Sequence, residues 1–232
     1  MTTFDKSTKF LKKTILFLLI ICTGYLGYTV YTIKYAIKIS GDYAYANQHS
    51  SPQEATANQR IAAWKKLIRE NRSLNVKILL EKVNNFFNQL TYIPDTPLQG
   101  SADVWLTPQE FLEAGGGDCE DFAIAKYFTL VALGIPEEKL RITYVTIRPD
   151  NKPHMVLTYY PKPEEQPLIL DNLVAKILPA PERMDLIPVY SFNAEEVWLY
   201  ERIDRARPYG KASSLSKWQA LIERIKLQGE YK

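Results

Sequence analysis

Cys119, His154 and Asp171 are a thiol, an imidazole and a carboxylate, the set of groups that nucleophilic acyl-transfer chemistry uses. Cys119 follows Gly115, Gly116, Gly117 and Asp118 and opens a run, Glu120 to Phe128, that reads as a helix. Glycines accept backbone angles closed to other residues, so the chain turns sharply here and leaves the next functional side chain unobstructed. At a helix N-terminus the unpaired N–H groups and the macrodipole favour an anion, which gives a thiol nucleophilic character. A lone cysteine is more often a small buried apolar residue, and the polar neighbours on both sides of Cys119 weigh against that reading. A thiol needs a base that works near neutral pH, and imidazole is the usual supplier. Of the two histidines, His49 and His154, the second falls inside the folded region. A third group must orient that imidazole. Asp171 can do so from the next segment: a hairpin in which Tyr159 faces Gln166 places His154 directly opposite Asp171. Singly, a strand histidine is an ordinary surface or core residue and an aspartate at a strand end is a turn cap. The three in this order point to a triad.

These groups need elements to hold them. Ile61, Trp64, Leu67 and Ile68 share one helical face, and Leu79, Val83, Phe86, Phe87 and Leu90 another. Pro94 and Pro97 begin a loop that reaches Trp105. Thr107-Pro108-Gln109-Glu110 is a helix start, with a threonine cap, proline first and glutamate three after the cap. After the cysteine helix, Gly134-Ile135-Pro136 is a stop signal. Residues 141–147, 154–160 and 168–173 then describe an antiparallel meander. Leu215, Trp218, Leu221, Ile222 and Ile225 mark a last amphipathic helix, which docks on the domain or lies at a membrane surface. The fold class is α+β, with the nucleophile at a helix N-terminus packed on an antiparallel sheet, preceded by one transmembrane helix.

The chain has 232 residues, 46% hydrophobic, with a formal net charge of +3. That charge, without a basic stripe, argues against nucleic acid as a partner. The other cysteine, Cys22, lies in an apolar run, so Cys119 is expected as a free thiol. Thr14 to Ile33 carries no charge over 20 residues, long enough for a bilayer-crossing helix. Lys6, Lys9, Lys12 and Lys13 precede it, so the N-terminus stays in the cytoplasm and the chain beyond Lys34 is exported. A cleaved signal peptide is the rival. Its small-x-small site would be Ala44-Tyr45-Ala46, far downstream, and an uncleaved anchor is favoured. The expected organisation is 1–13 cytoplasmic, 14–33 anchor, 34–59 stalk, 60–207 protease domain and 208–232 C-terminal helix.

Gly-Asp-Cys-Glu-Asp-Phe-Ala at 117–123, Lys126-Tyr127-Phe128, Pro153 to Leu157, Leu170-Asp171-Asn172-Leu173 and Tyr190-Ser191-Phe192-Asn193 together resemble the bacterial transglutaminase-like cysteine proteases of the LapG type. The resemblance runs from about Arg60 to about Tyr200. It implies a papain/transglutaminase-like core, with Cys119 as nucleophile, His154 as general base and Asp171 as orienting carboxylate. It further implies a periplasmic location, a calcium requirement, and a large surface adhesin as substrate, cut near its N-terminus to control attachment and biofilm. The inhibitor in that family is an inner-membrane receptor responsive to cyclic di-GMP. The long uncleaved anchor departs from many relatives, which are released into the periplasm.

Asp118, Glu120 and Asp121 surround the thiol, and carboxylates disfavour a thiolate: at an effective dielectric of 20, a charge pair ~7 Å apart is worth ~2 kcal/mol. A helix dipole offers ~0.3–1 kcal/mol the other way. A calcium ion bound by these three acids would neutralise them; as a plain alternative they cap the helix. Physics leaves the two level, and the resemblance favours calcium. Two further functions share these features: transglutaminase-type amide transfer or cross-linking, with an amine in place of water, and a non-catalytic calcium-dependent binding module. The second has no need of a whole triad.

Overall fold

The structure, a computed structural model, describes residues 56–94 and 104–229. The expected anchor at 14–33 and nearly all of the stalk lie outside them. Among the described residues no helix is long and apolar enough to cross a membrane. Helix α1 (Ala57–Asn71) begins behind Thr56, whose hydroxyl accepts from Gln59 N while Gln59 Oε1 accepts from Thr56 N. Asn75 caps α2 (Val76–Phe87). Helix α3 (Pro108–Ala114) carries the anticipated Thr107–Glu110 capping box and stops at Gly115, whose φ of 76° favours glycine. Arg60 covers the end of α3, donating from Nε to Leu112 O (2.6 Å) and from Nη2 to Glu113 O (3.0 Å).

Helix α4 (Cys119–Ala132) is buried continuously from Asp121 to Leu130. A helix apolar on every side belongs in the middle of a core, and α1, α2 and α3 pack around this one. Trp64 Nε1 donates to Thr129 Oγ1 at 2.8 Å, tying α1 to α4. The stop signal at Gly134 is used, with φ of 93°.

A short parallel bridge pairs β1 (Thr91–Tyr92) with β2 (Gly116–Gly117). The main sheet is larger than the meander read from sequence. It is antiparallel, with strands β3 (Leu140–Ile147), β4 (Lys152–Tyr159), β5 (Leu168–Leu170), β6 (Leu178–Pro179), β7 (Leu186–Phe192), β8 (Glu196–Arg202) and β9 (Arg205–Lys211), in the order β6-β5-β4-β3-β7-β8-β9. Alternation divides β4 between two cores. Met155, Leu157 and Tyr159 join the main cluster with α4, while Val156 joins Val145, Ile169 and Leu186 on the other face.

The segment from 208 onward is first the end of β9 and then α5 (Ser216–Leu227). Trp218, Leu221 and Ile225 of α5 are buried in the main core. Trp218 stacks on Phe128 (centroids 5.5 Å apart) and meets Phe192 edge-on (5.2 Å). Arg224 bonds Glu110 Oε1 (3.2 Å) and Trp105 O. Of the two placements open for this helix, its apolar face takes the docked one.

Candidate active site

The glycines before the thiol serve a purpose different from the sharp turn expected of them. Gly115 makes the turn, whereas Gly116 and Gly117 are extended and hydrogen-bonded to β1, Ile93 N donating to Gly117 O at 2.8 Å. A Cβ on Gly116 would lie 2.0 Å from Thr91 O, and one on Gly117 2.2 Å from Asp121 Oδ2. These two positions require absence of a side chain because backbone and carboxylate already occupy the space.

Asp118 is the N-cap of α4, and Cys119 is the first helical residue and a free, partly exposed thiol. Its backbone N–H is among those a helix cannot pair internally. Sγ donates to Glu120 Oε2 at 3.0 Å. Burial first, then the charge and hydrogen bond of Glu120 and the charge of Asp118, push the thiol far up from its ordinary value; the Met155 N–H acts the other way. That N–H belongs to the residue after His154, so the sulfur abuts the strand carrying the imidazole. Ligand atoms of Asp118, Cys119 and Glu120 lie within 4.8 Å of one another. Asp121, expected as the third acid of this group, turns inward instead: Leu106 N donates to its Oδ1 (2.8 Å) and Asp118 N to its Oδ2 (3.2 Å). It is 3% exposed and organises the loop around the helix start.

His154 and Asp171, 4% and 1% exposed, meet with Nε2 and Oδ1 2.8 Å apart. The strand register is offset from the one expected. Tyr159 pairs with Leu168, not Gln166, and the β4–β5 ladder ends at Leu157 and Leu170, so Asp171 lies just past the strand. An offset of two residues keeps each side chain on its face, and the pair forms as a diagonal neighbour rather than directly opposite.

Asp171 is held at every oxygen. Leu173 N donates to Oδ1 (2.9 Å), Arg183 Nη1 pairs with Oδ2 (2.8 Å), and Asn88 Nδ2 of the segment after α2 donates to its carbonyl (2.8 Å). Burial alone would raise its pKa; the charges of His154 and Arg183, with the hydrogen bonds from His154 and Leu173, override this and hold it well below the usual carboxylate range. An ionised carboxylate accepts and does not donate. The proton therefore sits on His154 Nε2, and Nδ1 is the basic nitrogen.

Three charged residues lie behind the site: Arg183 and Asp185, which were not singled out from sequence, and Lys126, singled out only as part of a motif. Arg183 reaches Asp185 through Nε–Oδ1 (3.0 Å) and Nη2–Oδ2 (2.8 Å). Lys126, buried about two helical turns on from Cys119, lies 5.9 Å from the Phe122 centroid. Burial lowers its pKa to about 7, Asp171 opposing. A cavity of about 320 Å³ on the far face of the sheet is lined by Thr158, Tyr160, Trp198 and Tyr200 and does not include the thiol.

Residues 40–199 match the family described as bacterial transglutaminase-like cysteine proteinases. Among solved structures, the calcium-bound LapG of Legionella pneumophila is 48% identical, with 81% of this chain and 98% of that chain covered and a TM-score of 0.66. The EGTA-treated form of the same protein is 48% identical, with 81% and 97% covered and a TM-score of 0.67. No curated protein matches.

Proposed function

The chain belongs to the bacterial transglutaminase-like cysteine proteinases and is a cysteine peptidase of that type, and from this premise we propose a calcium-dependent endopeptidase that cuts a large cell-surface adhesin near its N-terminus. The observation that carries the reading is the buried 2.8 Å His154–Asp171 contact beside the half-buried thiol of Cys119. Asp171 fixes the tautomer, and His154 Nδ1 takes the thiol proton. The thiolate then adds to the scissile carbonyl, and the Cys119 N–H faces the developing oxyanion. The imidazolium returns the proton to the leaving amine. Water, activated by the same nitrogen, releases the acyl group and regenerates the thiol.

Asp118 and Glu120 are the residues that would hold calcium, as hard oxygen donors close together beside the thiol. Two side chains are fewer than the six to eight oxygens such an ion takes, so further oxygen donors would have to complete the set. When bound, the ion supplies charge neutralisation next to the nucleophile. A Glu120 so engaged no longer accepts the Cys119 hydrogen bond. The solved relative with calcium supports this reading.

The 14–33 segment anchors the enzyme in the inner membrane with its domain in the periplasm, where a cyclic di-GMP-responsive receptor inhibits it. Incubation of the full chain and calcium with surface adhesins, followed by mass spectrometry of termini, tests the reading. New N-termini that need calcium and disappear with Cys119→Ala are expected. Isopeptide products without new termini would move the chain to amide transfer.

A further inference from the structure

We propose that Arg183, held by Asp185, is a positioning residue for the reaction, fixing the carboxylate of Asp171 so that Oδ1 stays on His154 Nε2. The inference rests on the roles given above to His154 and Asp171. Four side chains form a buried chain of contacts: His154 to Asp171 at 2.8 Å, Asp171 to Arg183 at 2.8 Å, and Arg183 to Asp185 at 2.8 and 3.0 Å. Arg183 is 1% exposed and Asp185 8%. Both are fixed through their backbones as well, Arg183 N donating to Ala180 O (3.0 Å) and Arg148 N to Asp185 O (2.8 Å).

The division of the guanidinium explains the arrangement. Its Nε and Nη2 edge takes Asp185 as a fork, leaving Nη1 for Asp171. Nη1 lies 2.8 Å from Oδ2, the oxygen that His154 does not use, an ion-pair contact without hydrogen-bond alignment that opposes rotation of the carboxylate about Cβ–Cγ. A lone cation beside Asp171 would also cancel the charge that steadies an imidazolium. Asp185 neutralises Arg183, so the carboxylate is immobilised and retains its electrostatic effect on His154. Stability alone is a weak reason to keep such a set, because buried ion pairs are often replaceable by apolar residues of similar volume.

The test uses the full chain with histidine labelled with ¹⁵N, whose two imidazoles, His49 and His154, are resolved as separate spin systems. In Arg183→Met, adhesin cleavage should lose roughly 10–100-fold in kcat at unchanged KM, the scale of a small misplacement of a catalytic group. The His154 imidazole should change from one fixed Nε2–H tautomer to an exchanging mixture. Arg183→Lys, which keeps charge but cannot fork to both carboxylates, should recover part of kcat. Asp185→Asn turns one acceptor facing Arg183 into a donor and provides the same readouts where Arg183→Met does not fold. A folded variant with lower Tm but wild-type kcat and an unaltered His154 spectrum would reduce Arg183 to a structural ion pair and overturn the proposal. The imidazole spectrum is read without substrate, so it tests the positioning even where adhesin cleavage fails; loss of cleavage in Asp171→Asn with none in Arg183→Met would leave the triad standing and the positioning role refuted.

Discussion

The two halves of the site are built on opposite electrostatic plans. On the base side, the imidazole of His154 is backed by Asp171, Arg183 and Asp185, which alternate in sign, and all four are almost wholly buried. On the nucleophile side, Cys119 sits between two carboxylates of like sign, partly exposed, its proton donated to Glu120. The base half needs nothing added. The nucleophile half carries groups that oppose its own ionisation, and the calcium proposed above would act there.

The largest expected effect comes from breaking the complete half. Asp171→Asn loses the acceptor that fixes the tautomer, and steady-state cleavage should fall by ~10⁴-fold, as for the equivalent carboxylate in serine proteases. A fall of tenfold or less would show that the base side is not what limits the reaction. Next is the incomplete half. Thiol alkylation of the calcium-free protein at fixed neutral pH should be slow and should rise about 5- to 30-fold in Glu120→Gln, the reach of a change of about 1–2 kcal/mol in local charge and hydrogen bonding. Calcium should accelerate the wild type and leave that variant nearly unchanged; equal rates throughout would remove the contrast between the halves.

Lys126 sharpens the comparison, being the one place where the buried half bears a net burden. Its folded pKa of about 7 is below the unfolded 10.5. Between these values the unfolded chain binds more protons, so wild-type stability rises with pH across that window. Lys126→Met should therefore gain stability, on the order of several kcal/mol below pH 7, the gain shrinking toward pH 10.5. Denaturant melts at the two ends of the window measure this, and a gain independent of pH would contradict it. Smallest is the scaffold shared by both halves: Thr107→Ala should cost about 1 kcal/mol by chemical denaturation, with kcat preserved.

What could be read from sequence follows from how local each signal is. The Thr107–Glu110 box, the helical faces of α1 and α2, and the cysteine at the start of α4 are written in residues a few positions apart. Cys119 and His154 stood out because thiols and imidazoles are scarce in this chain, and Asp171, one of 26 acidic residues, because of its place on the segment after His154, which it contacts. The strand register was not, since parity along a strand fixes the face and leaves a two-residue offset open. Asp121 has the same type and neighbourhood as Glu120, and what separates them is the loop N–H groups of Leu106 and Asp118, which approach from elsewhere. Arg183 and Asp185 stand in a polar stretch between prolines and leucines, with nothing nearby to distinguish them from a solvated turn; their meaning comes from Asp171, twelve residues earlier in the chain.

The docking of α5 also bears on the order in which the core is completed during synthesis. Every triad residue is made before residues 216–227. Until those residues arrive, Phe128 lacks the ring stacked against it, and Glu110 and Trp105 lack the arginine that joins them, so the helix bearing the nucleophile has one side uncovered. The packing of the helix that carries Cys119 is therefore completed by the last part of the domain to be made.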